Sequence, residues 1–115
     1  MTEERDRQSV GLSPEGQVRL ERIEALGWFG TGQDVARFAM SYAMRAGVTP
    51  GSTSGTDTRW TIGLFDDTGE MRDLIGALYP GTAAPVKAIE HFVDEGLRLI
   101  AERIDRGETD PAALL

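Results

Sequence analysis

The chain has 115 residues, with 12 Lys and Arg against 19 Asp and Glu, one His and no Cys, for a formal charge of −7. At 40% hydrophobic residues it can build one core but not two, and without cysteine it has no disulfide framework, no thiolate metal site and no cysteine nucleophile. No run approaches the roughly 18 apolar residues of a membrane span, and residues 1–8 contain no apolar signal core, so a cytoplasmic protein without membrane attachment is expected.

Charge is unevenly distributed. Six arginines face seven acids before residue 50, whereas six basic groups face twelve acids after it. An acidic chain is repelled by phosphate at long range, so only the first half could host an arginine cluster for nucleic acid.

Residues 1–8 are charged and aperiodic, which predicts a mobile arm before a single globular domain over 9–106. Val10 and Leu12 alternate with Ser9 and Gly11, permitting a short strand. Ser13-Pro14-Glu15 reads as a helix start, with Ser as cap, Pro in the first turn and Glu at the positive end. The helix should run over 14–27, with Leu20, Ile23 and Gly27 as its apolar face and Val18 and Leu26 flanking it.

Trp28 and Phe29 precede the Gly30-Thr31-Gly32 turn, and Thr31 with Asp34 predicts a capped second helix from about Gly32. Val35, Phe38, Ala39, Tyr42 and Ala46 form its apolar stripe, with Met40 and Met44 beside it, and Gly47 stops it. Residues 48–58 are rich in turn formers and predict a flexible loop. In Arg59–Phe65, Trp60, Ile62 and Leu64 alternate as in a strand.

Asp66-Asp67-Thr68-Gly69-Glu70 should open a third helix, capped by Asp67 and carrying Met71, Leu74, Ile75 and Leu78 on its apolar face. A last helix over 85–106 carries Val86, Ile89, Val93, Leu97, Ile100 and Ile104, widened by Phe92, Gly96 and Leu99. Residues 107–115 read as a tail. The expected fold is a mainly helical α+β single domain of four helices with one or two short strands.

Few residues carry chemistry. His91 has Lys87 and Glu95 at i−4 and i+4, not a second ligand, so pairing with Glu95 is expected rather than metal binding. The acids at 66, 67, 70 and 73 have the order of a helix N-terminus and match no calcium loop. No serine sits in a nucleophile elbow, and Gly30-Thr31-Gly32-Gln33 lacks the lysine of a nucleotide loop. No catalytic residue, metal or cofactor is therefore expected, and the protein is read as a non-enzyme. Trp28 and Phe29, at a turn between helices, cover one end of the core or anchor a partner protein.

Strand, helix, glycine turn and helix over 9–47 resemble a ribbon-helix-helix DNA-binding unit. That resemblance implies a repressor whose strand pairs with its copy across a dimer, with Arg7 and Ser9 reading bases. The DNA-binding candidates of the first half are Arg7, Ser9, Arg19, Arg22, Thr31, Arg37 and Arg45.

A second resemblance covers about residues 18–103. The segments Trp28–Val35 and Phe38–Gly47, Trp60 in a strand and Phe92–Ile100 are similar to small proteins encoded beside DNA phosphorothioation (Dnd) restriction systems. This implies a small non-enzymatic subunit or adaptor of a DNA-associated, anti-phage defence system, with a protein partner. DNA contact through the N-terminal half and self-association are compatible with it.

Overall fold

A computed structural model describes residues 6–115. The order is β1 (Ser9–Leu12), α1 (Pro14–Ala25), α2 (Gly32–Arg45), β2 (Asp57–Thr61), α3 (Ile62–Phe65), α4 (Glu70–Leu78), α5 (Pro85–Asp105) and a 3-10 turn (Pro111–Leu114). The architecture is a mainly helical α+β single domain. It has one helical element more than expected, because a single turn stands where the second strand was predicted to continue.

The core is built on α5, which packs along α2 and also meets α1, α4 and β1. Leu20, Ile23, Val35, Ala39, Ile75, Ile89, Phe92, Val93, Leu97 and Ile100 are fully buried. At about 1.5 Å per residue, 21 residues make a helix of roughly 31 Å, long enough to meet these four elements along its length. Local signals act as expected at two starts. Ser13 accepts the Gly16 amide at 3.0 Å, and Thr31 and Asp34 close a reciprocal capping box on α2.

β1 and β2 pair antiparallel, with Val10 opposite Trp60 and Gly11 opposite Thr58, and a bulge between the two pairs. The predicted strand Arg59–Phe65 ends at Thr61. Continued alternation would put Phe65 on the face opposite Trp60 and Ile62, whereas a helical turn carries it into the core. Phe65 is fully buried and lies 5.5 Å from the Trp60 ring, while Leu64 is left exposed.

The predicted centres of α1 and α5 are buried, but parts of three predicted faces are not. On α1, Leu20 and Ile23 are buried, but Val18, Leu26 and Gly27 are exposed. On α2 the buried set is Gly32, Val35, Ala36, Ala39, Met40 and Ala43, while Phe38 and Tyr42 are half-buried and Ala46 is exposed. Small residues face α5 because the two backbones approach closely at Gly96, and the aromatics move to the flank. On α5, Leu99 and Ile104 are only half-buried.

Both predicted ends are engaged where described. Residues 1–5 of the expected arm lie outside the described residues, but Asp6 accepts the Val86 and Lys87 amides at the start of α5. Gln8 accepts the Ile62 amide at 2.9 Å. The expected tail folds back: Leu114 is 1% exposed in the core, and Arg45 holds its carbonyl at 2.8 Å. Burial of Leu114 favours this docking, and Arg103 adds a hydrogen bond to the Ala113 carbonyl at 3.0 Å.

Candidate functional site

Six of the seven DNA-binding candidates have partners within the chain. Arg7 lies 3.3 Å from Glu90, and the Ser9 hydroxyl is 3.1 Å from that of Thr58. Arg22 binds Asp105 at 2.7 Å, Arg37 donates to the Leu64 and Phe65 carbonyls, and Arg45 holds Leu114. Thr31 is a cap. Its amide, then its hydroxyl, hold the Asp34 carboxyl below the usual range. Of the arginines among these candidates, only Arg19 has no side-chain partner among the described residues.

The ribbon-helix-helix reading needs β1 to meet its copy across a dimer. In this chain β1 pairs with β2, and Val10 and Leu12 are buried. On the other side of β1, Gly11 donates to Glu90 at 2.7 Å. The strand's pairing groups and side chains are therefore engaged within the chain.

Trp28 and Phe29 are half-buried and packed on the core. Phe29 lies 4.7 Å from Phe38 and Phe38 6.3 Å from Tyr42, a tilted aromatic row along the flank of α2. Of the two readings of this pair, the cover has direct contacts behind it.

A polar cleft runs between loop 50–56 and the first half of α5. One part, of about 550 Å³, is lined by Arg7, Ser54, Thr56 and Glu90, and another, of about 400 Å³, by Ser13, Arg19, His91 and Asp94. Its groups mostly satisfy each other. His91 Nδ1 lies 3.2 Å from the Thr53 hydroxyl, not beside Glu95, because Glu95 binds Arg98 at 2.7 Å. Ser13 donates to Asp94 at 2.6 Å. Among the described residues, no three His, Asp or Glu converge to hold a metal.

The acids before α4 act on the helix, but the capping residue is Asp66, not Asp67. Gly69 adopts a left-handed conformation with φ 79°, which brings Asp66 under the amides of Met71 and Arg72 at 3.0 and 3.1 Å. Arg72 adds its guanidinium at 2.9 Å. Burial pushes the Asp66 carboxyl up, but these amides and the guanidinium outweigh it and hold the group below the usual range.

What remains uncommitted is apolar. Arg37, Met40, Ser41 and Met44 of α2 and Met71 and Leu74 of α4 line an open groove of about 150 Å³. The chain has four methionines, so every one after Met1 is in this groove. Leu74 is 45% exposed and Leu78, one turn on, 55% exposed. The groove is smaller than the roughly 300 Å³ at the low end of small-molecule sites, and suits an anchoring side chain. Helical spacing puts Met40 and Met44 beside one apolar stripe and Met71 and Leu74 on another, and of these four only Met40 is buried. The signal for the groove was the excess of large apolar residues on a nine-residue helix, more than one face of it can bury.

No helix among the described residues is long and apolar enough to cross a membrane. No family model matches the chain, and no curated protein or solved structure matches it either.

Proposed function

We propose that this protein is a small non-enzymatic adaptor that holds a protein partner in the groove between α2 and α4. The observation that carries the reading is the convergence of Met40, Met44 and Met71 with a half-exposed Leu74. Thioether side chains are flexible and polarizable, so a methionine-lined groove can repack around an apolar segment. The polar groups, by contrast, are largely engaged with one another. The resemblance to proteins encoded beside Dnd restriction systems supports a partner from a DNA-associated defence assembly.

The test is co-expression with the products of the neighbouring genes, followed by size-exclusion chromatography with light scattering. A complex should form with the wild-type chain and be lost in Leu74→Asp, whose melting temperature should stay near wild type because the side chain is half-exposed. Failure of every neighbouring product to bind, or a complex that Leu74→Asp leaves intact, overturns the reading.

A further inference from the structure

We infer that the occupant of the α2–α4 groove is an amphipathic helix of the partner whose basic flank lies along α4. The inference rests on the adaptor reading above and specifies the partner's chemistry. Its support is the polarity of the groove's two rims.

On α4, Glu70 precedes Leu74 by one turn and Leu78 follows by another, so an acid and two exposed leucines share one ridge. Asp73 lies one helical step from Glu70 on the same outward side. Asp67, Glu70 and Asp73 are exposed, and none has an ion pair or side-chain hydrogen bond among the described residues. The α2 rim is different. Its charge is Arg37, whose guanidinium is held on the Leu64 and Phe65 carbonyls and over the Phe65 ring.

Beside the apolar floor, α4 therefore carries two uncompensated acids, Glu70 and Asp73, whereas the cation of the α2 rim is fixed and has Asp34 at 3.8 Å. An apolar anchor with Lys or Arg on one flank would complement both floor and edge, and an acidic helix would be repelled. A second copy of this chain is a poor occupant, since each copy carries −7.

The test uses two designed amphipathic peptides with the same leucine stripe, one flanked by Lys and one by Glu. The full chain carries ¹³C-methyl methionine, so that binding in the groove is read at Met40, Met44 and Met71. The Lys peptide should move these signals and bind at least about tenfold more tightly than the Glu peptide, less so in high salt. Glu70→Lys with Asp73→Lys should reverse the order. Equal binding of both peptides with shifted methyls overturns the basic-partner inference and leaves the adaptor reading standing. Unmoved methyls with both peptides overturn the helix inference, and co-expression then decides the adaptor reading by itself. Methyl shifts that grow with protein concentration alone, with a dimer in light scattering, make a second copy the occupant and also overturn it.

Discussion

Gly96 of α5 lies against the backbone of Ala39 of α2, so closely that a side-chain carbon added at Gly96 would overlap the Ala39 carbonyl. The helix pair that organises the core therefore depends on a missing methyl group. A carbonyl within a helix cannot swing aside as a side chain can.

Gly96→Ala should therefore destabilise the fold by about 3 kcal/mol through overpacking, although alanine is the better helix former. Gly76 sits in α4 with no neighbouring atom within 4 Å of an added carbon. Gly76→Ala should stabilise by about 0.5–1 kcal/mol. Urea melts of both variants check the pair, and two effects of the same sign would refute this view of the α2–α5 crossing.

Glu90 ties three segments to α5. Only 1% exposed, it accepts the Gly11 amide at 2.7 Å and the Thr56 hydroxyl at 3.1 Å, with Arg7 at 3.3 Å. Glu90→Ala should cost about 3 kcal/mol, because it leaves a buried amide without an acceptor. Glu90→Gln keeps an acceptor and should cost less. Hydrogen exchange at the Gly11 amide, faster in Glu90→Ala than global unfolding explains, would locate the loss.

Asp66 makes stability depend on pH with a definite sign. Its carboxyl is held below the 3.8 of a free aspartate, so its contribution is complete above that pH and is lost as pH falls through the folded value. Asp66→Asn should cost about 2 kcal/mol at pH 7 and progressively less below pH 3.8, as the wild-type carboxyl protonates. Denaturant melts at pH 7 and pH 3 measure the gap. A gap that stays constant or widens in acid would show that the carboxylate does not cap α4.

The aromatic row predicts how the Trp28–Phe29 turn behaves. Phe29→Ala removes the 4.7 Å contact with Phe38 and should cost about 2 kcal/mol, while leaving partner binding at the groove unchanged for the folded fraction. A variant that melts like wild type but no longer enters the complex would restore this turn as the partner anchor.

Much of the fold was legible locally. The caps at Ser13 and Thr31, the helix stops and the long stripe of α5 are set by interactions within a few residues, so sequence spacing alone determined where most helices begin and end. The rest needed the whole chain. Phe38 and Tyr42 lie on the strongest helical stripe with Ala39, yet Ala36 and Ala43 joined Ala39 in the core in their place because α5 offers Gly96 there. Arg59–Phe65 alternates like a strand, and burial of Phe65 turned its second half into a helix. The candidate arginines were visible as residue types, but their partners are far along the chain, as Arg22 is from Asp105 and Arg45 from Leu114. The groove was hidden for the same reason. A sequence shows that Met40, Met44, Met71 and Leu74 are apolar. Only the tertiary arrangement, with α2 and α4 both packed on α5, left Leu74 exposed and Met44 and Met71 half-buried beside the buried Met40.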